Sequence, residues 1–382
     1  MTPGKGAEKA MEVLRALGRI YEAQDMVEVG SVQVSGVSYK NIGEHGLAFL
    51  EEWAGMGSKA VVPAAMNPGG ADRRLWKSLG WTEDFVRKQE RVIRALEALG
   101  IRPALTCTPY HAGMTPARGE HIAWAESSAV CYANSVLGAR TNREGGPSAI
   151  AAALTGKTPN HGLHTDEGRR PTRVIRVECE APTAADAGAL GTLIGRAVAE
   201  DERGGVPFIA GVKPPDTAWL KALGAGMAAA GSVGLFYFEG EAPAGLPETR
   251  VESLGEAVRS LSTGGGAIDV AAVGCPHASR EDLERIASLL GRGRVKTPLW
   301  VFVSEAVRSG AGRLGSELES RGAVLVADTC IVVAPLKDLG IRCVATDSAK
   351  AAFYLPSHQG VSVRFGPLER VVGAALRGGW DA

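Results

Sequence analysis

The 382-residue sequence predicts an α/β fold: a multi-domain set of parallel-sheet modules. Three observations carry the α/β reading. From Thr172 onward, short apolar runs alternate with helical spacings, the rhythm of βαβ units. Glycine is abundant, at 50 residues, and often follows an apolar run, as in "GVKPP" and "AVGCPH". There α/β proteins bring backbone close to backbone or to a bound anion. Finally, Cys107, Cys275 and Cys330 each end an apolar run, and open α/β sheets collect ligands at the carboxyl ends of their strands.

The elements follow in order. The first 25 or so residues have helical spacing. "MVEVGSVQVSG" alternates apolar and polar residues as a strand does, "VSYKNIGEHG" reads as a polar glycine-bounded loop, and "LAFLEEWAG" as a short helix. "KAVVPAAMNPGG" is a buried strand that runs into a loop at Asn67 and Pro68. "DFVRKQERVIRALEALG" is helical and stops at Gly100. "RPALTC" is a short strand with Cys107 at its end, and the stretch from Gly119 starts like an amphipathic helix.

Beyond Thr172 come the strand "TRVIRVECE", a helix from Thr183 to Glu200, the strand "VPFIAGV", the helix "TAWLKALGAGMAAAG" and the strand "VGLFYFEG". A second series follows: "AIDVAAVG", the helix "SREDLERIASLLG", "PLWVFVS", a helix to about Arg321, then "AVLVADTC" and a short strand "CVATD". Three regions result, 1–171, 172–265 and 266–382, with the last boundary at "TGGGA".

The bulk composition narrows the function. Lys+Arg and Asp+Glu both number 42, so there is no basic surplus for general nucleic-acid or anionic-membrane binding. No apolar run is long enough to span a bilayer, and the N-terminus lacks an apolar signal core, which points to a cytoplasmic protein. Six cysteines in a long cytosolic chain are then thiols rather than a disulfide framework.

A cysteine in a buried strand is most often a small hydrophobe. "GCPHAS" and "DTC" put Cys275 and Cys330 in polar or kinked surroundings instead, which favours a shared metal or iron–sulfur site. Three thiolates leave one iron open as a Lewis acid. No Cys-x-x-Cys occurs, so a zinc ribbon or ferredoxin-type site is unsupported. Cys131, Cys179 and Cys343 lie inside predicted elements and read as structural. "ARTNREGGPSAI" suits either a solvated turn before a helix or carboxylate and phosphate capture by Arg140, Arg143 and backbone N–H groups. His121, His161 and His164 lack fixed ligand spacing, and Lys350 lies early in a predicted helix.

"SGVSYKNIGEHG", "NPGG" with Asp72, "CTPY", the long run from Gly119 to Ala149, "GCPHAS", "DTC" and "TDSAKAAFY" occur in this order along the whole chain. Together they resemble the aconitase X family. The resemblance implies an aconitase-like α/β fold around an iron–sulfur cluster, [4Fe-4S] with one open iron, held by Cys107, Cys275 and Cys330. It implies substrate contacts from Gly36, Val37, Ser38, Asn67, Pro68, Glu126, Ser127 and Lys350, with Glu126 and Ser127 nearest the chemistry. It also implies a small-subunit partner that carries a swivelling domain, absent from this chain, and the serine base. The likeness is to the archaeal branch that dehydrates (R)-5-phosphomevalonate to trans-anhydromevalonate 5-phosphate. The alternatives are a cis-3-hydroxy-L-proline dehydratase, which needs no phosphate pocket, and a non-catalytic iron–sulfur protein that only binds a partner.

Overall fold

The computed structural model describes residues 4–201, 205–238, 240 and 243–380. The chain divides into two compact units, Met1–Arg170 and Pro171–Ala382.

The first unit runs α1 (Lys5–Ile20), β1 (Met26–Glu28), β2 (Val32–Val34), α2 (Tyr39–Gly55), β3 (Ala64–Met66), α3 (Trp76–Leu79), α4 (Glu83–Ala98), β4 (Ala123–Trp124), α5 (Ser127–Tyr132), α6 (Gly146–Thr155) and β5 (Lys157–Pro159). Its main sheet is parallel, in the order β3-β2-β4, with Val32 opposite both Ala64 and Ala123. β1 and β5 form a separate antiparallel pair. These strands are only two or three residues long, so most of the unit's backbone hydrogen bonding falls outside ladders. The core comes from one face each of α1, α2 and α4 with α6, and includes Leu14, Leu47, Trp53, Ile93 and Leu96.

Three expectations fail in this unit. Of the loop expected over 37–46, all but Val37 and Ser38 is the start of α2, which bends at Gly43 (φ 59°) rather than beginning after it. The reason is tertiary: the first-turn N–H of Tyr39 is satisfied by the Gln89 side chain on α4. "RPALTC" is not a strand; only Arg102 pairs, with Ala65, and the backbone turns through Leu105 at φ 46°. The stretch from Gly119 is extended, not helical: β4 pairs with β2, and the helix starts only at Ser127. Ladder pairing with β2 overrides the helical spacing.

The second unit runs β6 (Arg173–Val177), α7 (Ala184–Val198), β7 (Pro207–Ala210), α8 (Thr217–Gly231), β8 (Glu248–Val251), α9 (Gly255–Leu261), β9 (Val270–Ala278), α10 (Arg280–Leu290), β10 (Leu299–Val303), α11 (Glu305–Gly310), α12 (Arg313–Ser320), β11 (Ala323–Val326), β12 (Cys343–Thr346), α13 (Ala349–Tyr354), β13 (Ser362–Phe365) and α14 (Leu368–Arg377). Two parallel sheets result, β7-β6-β8 and β11-β10-β9-β12-β13. The parallel-sheet expectation therefore holds.

α7 and α8 pack backbone to backbone. A Cβ built on Gly226 would lie 2.3 Å from the Gly188 carbonyl oxygen, so glycine is required there. α13 meets the same layer, since a Cβ on Gly188 would lie 2.8 Å from that of Ala349.

Two corrections belong to this unit. "VGLFYFEG" contributes a single bridge, Tyr237 to Phe208, and Glu239 lies outside the described residues. The third strand of that sheet is β8, which no periodicity announces. The helix expected to reach Arg321 is two helices, α11 and α12, separated at Gly312 (φ 53°).

Candidate active site

The first unit gathers four of the segments that carry expected site residues. Gly36, Val37 and Ser38 lie between β2 and α2; Gly36 has φ 76°, while Val37 and Ser38 are buried. Ser38 occupies the N-cap position of α2 without capping it through its side chain. Asn67 and Pro68 follow β3, the Asn67 N–H donating to Val34 O at 2.9 Å. Cys107 is 6 % exposed and follows the Leu105 turn. Glu126 is the N-cap of α5: its Oε2 accepts from Ala129 N–H at 2.7 Å and from the Ser128 hydroxyl at 2.6 Å. Ser127, the first residue of α5, lies 3.4 Å from Oε1.

Two buried glutamines hold these segments together. Gln33, central in β2 and fully buried, donates from Nε2 to Thr106 O at 3.1 Å and towards Asn67 Oδ1 at 3.5 Å. Its Oε1 accepts from the Glu126 N–H at 3.4 Å. Gln89 on α4 accepts from Tyr39 N–H at 2.9 Å and Gly70 N–H at 2.8 Å, and donates to Val37 O at 2.8 Å. A Cβ on Gly70 would meet Phe85 Cζ at 2.7 Å, Ser38 Oγ at 2.8 Å and Gln89 Oε1 at 2.9 Å, so any larger residue there must displace these side chains. Sequence reasoning missed both glutamines. The signal was present: Gln33 interrupts a buried "VQV", and Gln89 occupies the apolar stripe of Val92, Ile93 and Leu96.

The polar run of the central motif is mostly spent on building this frame. Asn134 and Thr141 exchange two hydrogen bonds, at 2.8 and 3.0 Å, and Arg169 clamps Asn134 Oδ1 at 3.0 Å. Arg140 holds His164 O at 2.9 Å and pairs with Asp166. Asn142 binds Leu163 N–H at 2.8 Å. Gly146 lets the chain pass Ser35, whose carbonyl oxygen would lie 3.0 Å from a Cβ there. The Gly-Gly and Arg-Asn set is thus a structural turn against the β2 exit, while Arg143 is exposed. Nearby, His121 Nδ1 and His164 Nδ1 share one hydrogen bond of 2.9 Å. Burial, with His121, His161, Arg169 and Arg140 around it, holds the His164 pKa down at about 3.

In the second unit, Cys275 lies within β9, which runs past it to Ala278, and Cys330 follows β11. Both are at the carboxyl end of the five-stranded sheet. Gly274 (φ 88°) allows the backbone to pass Phe302, whose carbonyl oxygen would lie 2.2 Å from a Cβ. His277, fully buried, binds Thr329 O at 2.9 Å, tying the Cys275 segment to the residue before Cys330. A cavity of about 70 Å³ opens at this sheet end, lined by Lys221, Cys275, Asp282, Asp347, Ser348 and Lys350 among others. Lys221 is buried and pairs with Asp282 at 3.3 Å. Ser348 caps α13 through Ala351 N–H at 3.1 Å, and Lys350 is the second residue of that helix.

The other cysteines differ. Burial pushes the Cys131 thiol up to about 12, the character of a core residue. Cys343 is buried in β12, and Cys179 lies just beyond the end of β6 rather than within it.

Models of the aconitase X first, second and third domains match residues 2–167, 171–262 and 268–377 in turn. The chain belongs to the aconitase X family. Among family relatives, it is 45 % identical to the phosphomevalonate dehydratase large subunit of Methanothermobacter thermautotrophicus, covering 94 % of this chain and 92 % of that one. It is 34 % identical to the cis-3-hydroxy-L-proline dehydratase of Pseudomonas aeruginosa, covering 98 % of this chain and 68 % of that one. The crystal structure of Thermococcus kodakaraensis aconitase X in its holo form superposes with a TM-score of 0.89 at 41 % identity, covering 97 % and 96 % of the two chains.

Within either unit, among the described residues, no three His, Cys, Asp or Glu side chains close on one metal ion. Cys107 belongs to the first unit, Cys275 and Cys330 to the second. The donor chemistry nevertheless fits an iron–sulfur group, for which soft thiolates are the preferred ligands. The His277 bridge keeps the Cys275 and Cys330 segments in a set relation.

Proposed function

We propose that the chain is the large subunit of a phosphomevalonate dehydratase of the archaeal mevalonate pathway. It would remove water from (R)-5-phosphomevalonate to give trans-anhydromevalonate 5-phosphate. The observation that carries this reading is near-full-length likeness to five archaeal relatives of that name, at 36–45 % identity. The more distant hydroxyproline dehydratases are 31–34 % identical.

Cys107, Cys275 and Cys330 would hold a [4Fe-4S] cluster, whose open iron, when bound, polarises the substrate's C–O bond as a Lewis acid. The chain's own residues bind and orient. Backbone N–H groups at Gly36, Val37 and Ser38, with Asn67 and the turn at Pro68, suit an anionic group of the substrate. Lys350 supplies a point charge for carboxylate or phosphate. Glu126, whose Oε2 accepts from Ser128 and Ala129 and whose Oε1 accepts from the Ser127 hydroxyl, would take up the departing hydroxyl or its proton. The proton lost next to the carboxylate is taken by a serine base on a small-subunit partner carrying the swivelling domain.

The test is turnover of (R)-5-phosphomevalonate by this chain, purified without oxygen, with and without that partner. Formation of the unsaturated acid only when both are present is the expected result. No turnover by a cluster-loaded, partner-bound chain, together with dehydration of cis-3-hydroxy-L-proline, overturns it.

A further inference from the structure

We infer that Gln33 and Gln89 are positioning residues with divided tasks: Gln89 sets the anion-binding loops, and Gln33 sets the Cys107 and Glu126 segments. The division rests on the proposed dehydratase reading of this site. It follows from which atoms each carboxamide reaches.

Gln89 touches both sides of Ser38, through Val37 O and Tyr39 N–H, and closes on Gly70 N–H in the turn after Asn67-Pro68. All three contacts lie between 2.8 and 2.9 Å. One amide therefore fixes the spacing of the two loops expected to hold the substrate's charge. It also supplies the first α2 N–H with an acceptor, work that the Ser38 side chain does not do.

Gln33 reaches a different set: the carbonyl of Thr106, next to Cys107, the N–H of Glu126, and the side chain of Asn67. In the segment before Cys107, strand pairing stops at Arg102 and one longer backbone bond follows, Thr106 N–H to Met66 O at 3.3 Å, so Gln33 adds the bond to the Thr106 carbonyl that a ladder would otherwise make. Both glutamines are essentially unexposed. A buried carboxamide is retained at a core position only where its hydrogen bonds are made, and here each bond ends on a segment carrying an expected site residue.

The experiment compares Gln33→Glu and Gln89→Glu in the full chain with its partner. Each change keeps the side-chain size and removes the amide donor. Unfolding midpoint, iron content, the visible and paramagnetic spectrum of the reduced cluster, and kcat and KM are all read. Gln89→Glu is expected to raise KM about tenfold with kcat within about threefold and the spectrum unchanged. Gln33→Glu is expected to lower kcat on the order of a hundredfold and to shift the spectrum, since misplacing a reacting group by about 1 Å has that effect. Equal losses in kcat and KM from both variants, or a lowered midpoint alone, overturn the division. Should either glutamate variant fail to fold, Gln33→Met and Gln89→Met provide the same comparison. If wild type turns over no phosphomevalonate, the substrate reading fails, while the spectrum of Gln33→Glu still decides the Cys107 part.

Discussion

The two units place chemically important residues by opposite means. In the second unit, a five-stranded parallel sheet carries Cys275 and Cys330 to its carboxyl end, and α13 begins beside the same cavity with Lys350. Backbone ladders do the positioning. In the first unit the strands are two or three residues long, and Ser38, Asn67, Cys107 and Glu126 all sit on irregular chain. There, side-chain amides do it. Where ladders are short, buried polar side chains must satisfy the backbone, and the site becomes sensitive to single hydrogen bonds.

The largest expected effect tests both kinds of placement. Cys107→Ser, Cys275→Ser and Cys330→Ser should each reduce bound iron to background, whereas Cys131→Ser, Cys179→Ser and Cys343→Ser should retain it, by iron and sulfide assay. Retained iron in any of the first three removes that residue from the ligand set.

Gly226→Ala probes the backbone-built unit, since its Cβ would meet the Gly188 carbonyl oxygen at 2.3 Å. Overpacking at an immovable backbone atom should cost about 3 kcal/mol by chemical denaturation. Lys221→Met should cost about 2 kcal/mol, because it leaves Asp282 unpaired beside the cavity while that side chain keeps some solvent. A neutral result would show that the cavity wall does not depend on the ion pair.

The pH dependence belongs to the first unit. His164 has a native pKa of about 3 against an ordinary 6.5, so between these values the unfolded chain binds a proton that the native one refuses. Stability is therefore full above about pH 6.5 and falls as pH drops, by at most about 1.4 kcal/mol per unit. His164→Asn should flatten that slope in midpoints measured from pH 7 to pH 5. At the small end, Arg91→Ala removes an exposed pair with Glu51 at 2.9 Å and should leave the unfolding midpoint essentially unchanged.

What could be read from the chain alone follows the same division. The β-α alternation after Thr172 was legible, because parallel strands buried on both faces leave continuous apolar runs, whereas the strand expected to end before Cys275 runs on to Ala278. Cys107 was picked out for the wrong local reason, since its preceding residues turn rather than pair. Glu126 was expected on a helix that starts at Gly119 and is instead the cap of one that starts at Ser127. The arginines and asparagines of the central motif left frame and ligand capture equally open in sequence. Arg140 and Asn142 prove to be frame.

By itself, the sequence determined the α/β class and the motif set that marks the family, because periodicity and residue chemistry are local properties. Only the tertiary structure decided what Gln33 and Gln89 do. A carboxamide's role depends on which backbone groups, 19 to 93 residues away along the chain, are brought within hydrogen-bond reach.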